Sequence, residues 1–87
     1  MGSNSREPDG WSRAVAAQIR AERAACGLTQ TQVFTRARMP RSTYIRVETG
    51  ERVGDVIQLS AISRALGIRL VTLIERAEER MQGASVL

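Results

Sequence analysis

The chain has 87 residues, a length that suits one small domain, and 43% of them are hydrophobic, which is enough for a single compact core. Its formal net charge is +4, and every basic residue is an arginine. Arginine can grip phosphate or guanine through two hydrogen bonds, although a GC-rich genome would give the same usage and the two explanations are compatible. Histidine is absent and there is one cysteine, so the commonest general base and metal ligand are missing. We therefore expect no catalytic residue, no metal site, no cofactor and no enzymatic activity.

Helical periodicity runs along the chain from Trp11, and no strand-like alternation persists. Thr29 with Gln32 three residues later forms a capping-box pattern, and Asp55 is a typical N-cap. The predicted helices cover residues 11–25, 29–37, 41–49, 55–66 and about 70–81. The predicted fold class is therefore all-α, a compact domain of five helices. The predicted divisions are a disordered N-terminal tail (1–10), the domain itself (11–81) and a frayed C-terminal tail (82–87).

The chain contains no run of 18 apolar residues, and its N-terminal segment is polar. The single cysteine, Cys26, ends an apolar helical stripe, and we expect it in the core of a protein from a reducing compartment. These features predict a cytoplasmic, nucleoid-associated protein with no membrane contact. No small-molecule ligand is evident.

The most informative stretch is 30–50, in which two predicted helices of about eight residues are joined by roughly three, as in a helix-turn-helix. On the second helix, Tyr44 and Val47 face inward by their spacing, and we expect Tyr44 to be a core residue with its hydroxyl at the surface. The opposite face carries Arg41, Ser42, Ile45 and Arg46. Arginine can bond guanine O6 and N7, serine most bases, and isoleucine a thymine methyl. This face is therefore predicted to read bases in the major groove.

Four motifs stand at a specific spacing: Arg23, GLTQ at 27–30, RSTYIRVETG at 41–50 and ALGI at 65–68. Together they resemble the Cro/repressor-type (XRE) helix-turn-helix proteins over about residues 19–74. The resemblance implies a lambda-repressor-like five-helix domain that binds double-stranded DNA. It also implies that Gln30 grips a phosphate and that Arg23 and Glu48 form an ion pair between the first and third helices.

The remaining phosphate contacts are predicted from polar side chains around the motif. The full set of predicted phosphate-binding residues is Thr29, Gln30, Arg36, Arg38, Thr43 and Arg52.

The motif departs from the family pattern at four positions in and before its turn. Phe34 stands where a small residue is usual and Ala37 where a large aliphatic is usual, which suggests an exchange of volume across the helix crossing. Arg38 replaces the usual glycine, so either it adopts an unfavourable conformation or the turn differs. Pro40 replaces the usual capping hydroxyl and is expected at the first helical position.

Apolar residues beyond the needs of a compact domain predict an interface between two copies, on the fifth helix or on the loop and turn before the fourth. The candidate interface residues are Val53, Val56, Ile57, Ala77 and Met81. The alternative for Met81 is that it folds back on the core of its own monomer. The expected partner is a pseudo-palindromic DNA operator, bound by a homodimer that forms either in solution or only on DNA.

The predicted function is therefore that of a bacterial or phage transcriptional regulator, most simply a repressor. The alternative is a protein-binding module on the same fold, such as an antitoxin or adaptor. Charge favours DNA, because residues 29–54 carry five arginines against Glu48 and Glu51, a net charge of +3.

Overall fold

The structure is a computed structural model that describes residues 10–86, and every regular element within them is an α-helix. The helices are α1 (Trp11–Cys26), α2 (Gln30–Arg36), α3 (Arg41–Glu48), α4 (Val56–Ala65) and α5 (Leu70–Val86). The all-α, five-helix fold is thus confirmed. The predicted N-terminal tail lies outside the described residues except for Gly10, and Leu87 lies outside them as well.

The last helix is longer than the sequence pattern predicts. It continues past Met81 to Val86, so the segment 82–86 is helical where a frayed tail was expected. No proline stops it, and the single Gly83 weakens a helix without ending it. Within residues 10–86 no one helix has both the length and the hydropathy of a membrane span. The helices α4 and α5 meet those criteria only as a pair, and that pair is bent by 100°.

The core lies where α1 packs against α3 and α5, and where α4 packs against α2 and α5. Its largest fully buried side chains are Val15, Ile19, Val33, Tyr44, Val47, Ile62, Ser63 and Leu73. Aliphatic side chains dominate this set, as the low aromatic content predicts. Packing of these side chains fixes α2 and α3 as one unit on the rest of the domain.

Buried polar groups join α1 to α5 at the other side of the core. Glu22 and Gln18 are both buried on α1, and the Gln18 amide donates to Glu22 over 2.7 Å. From α5, Arg76 donates to the Glu22 carboxylate over 2.5 Å and Arg80 donates to the Gln18 oxygen over 2.6 Å. Burial would raise the pKa of Glu22, but the bonds from Arg76 and Gln18 outweigh it and leave the pKa below its ordinary value. This contact orients the long helix α5 on α1.

The structure shows how the turn between α2 and α3 accommodates the residues that depart from the family pattern. Arg38 has a φ of 55°, so it occupies the left-handed region that the family usually fills with glycine. Pro40 is the N-cap of α3 rather than its first helical residue, because its ψ of 144° is extended, and its side chain makes no capping bond. Phe34 packs against the core and against Tyr44, with ring centroids 6.2 Å apart, while Ala37 is half-buried beside it.

Replacing Arg38 with glycine should stabilise the fold by about 0.5–1 kcal/mol. The left-handed conformation strains a residue that has a side chain by roughly 1–2 kcal/mol, and part of the relieved strain is offset because glycine raises the conformational entropy of the unfolded chain. Urea denaturation would measure the change. The matched control is Arg36→Gly, which removes the same charge from within α2 and should destabilise the protein by about 1 kcal/mol. Equal destabilisation by the two substitutions would contradict the strain at Arg38.

Candidate nucleic-acid interface

The recognition helix α3 divides into a buried and an exposed face. Tyr44 and Val47 are fully buried, whereas Arg41, Ser42 and Arg46 are exposed. The helix before it, α2, begins as predicted: Thr29 and Gln32 form a capping box at its N-terminal end. The structure thus brings three of the four predicted base-reading residues onto one solvent-facing surface.

The fourth predicted base-reading residue, Ile45, lies at the edge of that surface. Its side chain is half-buried and packs against the core, so only part of it faces solvent. Ile45 therefore offers less apolar surface to a thymine methyl than helix arithmetic suggests.

A single buried carboxylate, that of Glu48, ties the motif together. Arg23 donates from Nε to Glu48 Oε1 over 3.0 Å and from Nη2 to Oε2 over 3.1 Å, so the ion pair expected from the resemblance is a two-bond contact in the structure. Gln30 donates from Nε2 to Oε2 over 2.7 Å, and the Tyr44 hydroxyl donates to Oε1. The side chain of Glu48 is only 3% exposed and that of Arg23 is 23% exposed. The carboxylate thus accepts four hydrogen bonds from α1, α2 and α3.

This network controls the charge states of its members. Burial would raise the pKa of Glu48, but the bonds from Tyr44, Gln30 and Arg23 outweigh burial and hold the pKa below its ordinary value. Burial, followed by the bond to the Glu48 carboxylate, raises the pKa of Tyr44. The expectation that the Tyr44 hydroxyl reaches the surface is wrong: Tyr44 is fully buried, because Glu48 one turn later supplies its hydrogen-bond partner inside the protein.

Two more arginine bonds fix the ends of the helices around this carboxylate. Arg20 donates to the backbone carbonyl of Glu48 over 2.6 Å, and Arg23 donates to the carbonyl of Leu28 over 3.1 Å. The first bond satisfies a carbonyl at the C-terminal end of α3, and the second holds the turn before α2. As a result, the exposed face of α3 has a fixed orientation relative to α1 and α2.

The predicted phosphate-binding residues are distributed around α3. The exposed members are Thr29, Arg36, Arg38 and Arg52, and the half-buried ones are Gln30 and Thr43. Arg36 has a partner inside the protein, since its Nη1 lies 3.5 Å from the carbonyl oxygen of Ala65. Gln30 donates one Nε2 hydrogen to Glu48, and the second hydrogen on Nε2 remains available to a ligand.

The predicted dimer residues separate into exposed and buried ones. Val56 and Ile57, in the first turn of α4, are 69% and 80% exposed. Val53 and Met81 are half-buried and pack against the core, as in the alternative considered for Met81. The prediction for Ala77 is wrong: this residue is fully buried where α5 packs on α1, and it has no surface to offer a second copy.

Sequence reasoning also misplaced one residue and overlooked another. Cys26, expected in the core, is exposed, and its Sγ donates to the carbonyl of Leu66 over 3.3 Å. Arg20 was not singled out, although its bond to the end of α3 contributes to the site. Its position three residues before Arg23 places both arginines on adjacent turns of α1, which is the signal that could have found it.

A fold of five helices in which α2 and α3 form a helix-turn-helix with an exposed recognition face is typical of DNA-binding domains. The helix-turn-helix family model matches residues 19–73, well over half of the chain. The chain belongs to this family, in its Cro/repressor-type (XRE) branch, and is a DNA-binding transcription regulator of that type. The family is one of DNA-binding domains rather than of enzymes. No curated protein and no solved structure shows a significant match to the chain.

Proposed function

We propose that this protein is a repressor of bacterial or phage type that binds a pseudo-palindromic operator as a homodimer, in the cytoplasm and on the nucleoid. The observation that carries the proposal is the exposed surface formed by Arg41, Ser42 and Arg46 on a helix whose buried end is fixed by the Glu48 network. Such a surface suits guanine-containing sites, because each arginine can donate two bonds to one guanine. Repression is the simplest outcome, since occupying an operator that overlaps a promoter is sufficient to block it.

Electrostatics supports DNA over a protein partner. The segment 29–54 has a net charge of +3, and one of its two carboxylates, Glu48, is already neutralised by Arg23. The other, Glu51, lies 3.9 Å from Arg46, and both side chains are more than half exposed. The solvent-facing part of the motif is therefore strongly cationic, as a surface for phosphate should be.

Binding should weaken steeply as salt rises. About 5–8 phosphate contacts per bound dimer predict a slope of about −4 to −7 for log affinity against log salt. Fluorescence anisotropy with duplexes selected from a random pool would measure it across a range of salt concentrations. A slope near zero would favour the protein-binding module over a DNA-binding regulator.

Two copies should bind a duplex that carries two half-sites about 34 Å apart. The proposed contact between them centres on Val56 and Ile57, because these side chains are the most exposed large hydrophobics among residues 10–83. Sedimentation with a palindromic duplex should give a two-to-one complex, and Ile57→Ser should reduce its cooperativity. Val71→Ser, which alters an exposed valine on α5, is the matched control and should leave cooperativity unchanged. A strict one-to-one complex at protein concentrations well above the dissociation constant would contradict the dimer.

A further inference from the structure

We propose that α1 carries an additional DNA-phosphate site, formed by Arg13 beside the C-terminal end of the recognition helix. The inference rests on the proposed operator binding and adds a contact outside the helix-turn-helix itself. Its ligand is a backbone phosphate next to the bases that α3 reads.

The first support is the position of Arg13 in the fold. Gly50 follows α3 with a φ of 86°, and a Cβ built on it would lie 3.7 Å from the Cα of Arg13, 3.5 Å from the carbonyl oxygen of Ser12 and 3.6 Å from the Cβ of Ala16. The start of α1 therefore lies directly against the loop that follows α3. Arg13 thus lies beside Gly50, the residue that directly follows Thr49, the exposed C-cap of the recognition helix.

The second support is that the side of α1 that carries Arg13 faces the end of α3. Arg13 and Arg20 are seven residues apart, so they share one side of the helix. Arg20 reaches the end of α3 from this side, through its 2.6 Å bond to the Glu48 carbonyl. Arg13 is exposed and forms no hydrogen bond or ion pair with any residue in the range 10–83. Its guanidinium is therefore available to a ligand at the same edge of the protein as α3.

The third support is that helix stability does not explain a cation at this position. Arg13 is the third residue of α1, whose first turn contains no acidic side chain. The N-terminal end of a helix carries a partial positive charge, which disfavours a cation and favours an anion. A phosphate there would be attracted both by Arg13 and by the helix end. Among the described residues, the charged groups that follow Gly50 in the chain are Glu51, which lies 3.9 Å from Arg46, and Arg52, while the Glu48 carboxylate is paired with Arg23.

The test compares Arg13→Ala with Arg64→Ala, which removes the same charge from an exposed position on α4, a helix that packs against α2 and α5. Because each of the two subunits loses one phosphate contact, the salt slope of the bound dimer should fall by about 1.8 and binding should weaken by about 60-fold at 0.1 M salt. Base preference should not change, since phosphates carry no sequence information. Arg64→Ala should bind as the wild type does, and Arg13→Lys should recover most of the slope, because a point charge is sufficient for phosphate.

Thermal unfolding separates binding from folding, and Arg13→Ala should not lower Tm, since Arg13 has no hydrogen-bond or ion-pair partner among residues 10–83. A second measurement uses duplexes shortened one base pair at a time. The wild type should lose affinity when the flanking phosphates are removed, whereas Arg13→Ala should not respond. Wild-type binding by Arg13→Ala, or a loss that comes with an unchanged salt slope, would overturn the site. A flat salt dependence of the wild type would instead refute the proposed DNA-binding function.

Discussion

Replacing Glu48 with alanine should lower the free energy of unfolding by about 3–5 kcal/mol, the usual cost of breaking a buried ion pair from one side. The substitution leaves the guanidinium of Arg23 without its anion and the buried hydroxyl of Tyr44 without its acceptor. The free energy of unfolding of a native domain is typically about 5–15 kcal/mol, so the loss should be visible as a large fall in the urea midpoint.

The matched control is Glu51→Ala, three residues further along the chain. Glu51 also has an arginine partner, Arg46, but its side chain is 67% exposed and the closest approach is 3.9 Å. Exposed pairs of this kind contribute about 0–1 kcal/mol, so Glu51→Ala should change stability little. If both substitutions have similar small effects, the Glu48 carboxylate is not the structural centre of the motif.

The same carboxylate predicts how stability depends on pH. The folded-state pKa of Glu48 lies below its ordinary value, so the unfolded chain binds the proton more readily. Its contribution is therefore complete above the ordinary glutamate pKa and is lost as the pH falls through the lowered folded-state value. Glu22 acts in the same direction, since its pKa is also lowered. Glu48→Ala should accordingly lose part of the acid sensitivity of the wild type.

Local signals in the sequence predicted the helices well. The capping box of Thr29 and the N-cap of Asp55 are present as expected, because a cap depends only on residues three positions apart, and Gln58 completes a box with Asp55 that was not predicted. The left-handed conformation of Arg38 was one of two options, and the neighbouring backbone bonds of Met39 to Phe34 and of Arg38 to Thr35 select it.

What the sequence could not supply is how helices distant in the chain meet. Periodicity identifies Ala77 as apolar-facing, but it does not say whether α1 or a second copy covers that face. Cys26 ends an apolar stripe, yet α1 extends beyond the core there, so the thiol is exposed. The bond from Gln30 to Glu48 joins α2 to α3 and depends on their crossing, which no local pattern encodes. The Tyr44 to Glu48 bond is different: its spacing of four on one helix could have been found from sequence.

Removing either Arg41 or Arg46 should impair recognition of DNA without unfolding the protein. Both side chains are exposed on α3, and each Arg→Ala change should cost about 1–3 kcal/mol in each half-site of the cognate operator, the value of one bidentate contact with guanine. The preference should relax at one or two base positions for each variant, which selection from random duplexes would reveal directly.

Arg52→Ala is the matched control for this experiment, because Arg52 is an exposed arginine in the loop after α3 and is proposed to contact phosphate. It should weaken binding to all sequences by the same factor and reduce the salt slope of the bound dimer by about two, since each subunit loses one phosphate contact. The contrast matters more than the size of either effect, since a phosphate contact and a base contact can cost similar free energies. Normal cognate binding by Arg41→Ala and Arg46→Ala would show that a different surface reads the operator. An equal loss of affinity for every sequence would indicate that both arginines contact the DNA backbone rather than the bases.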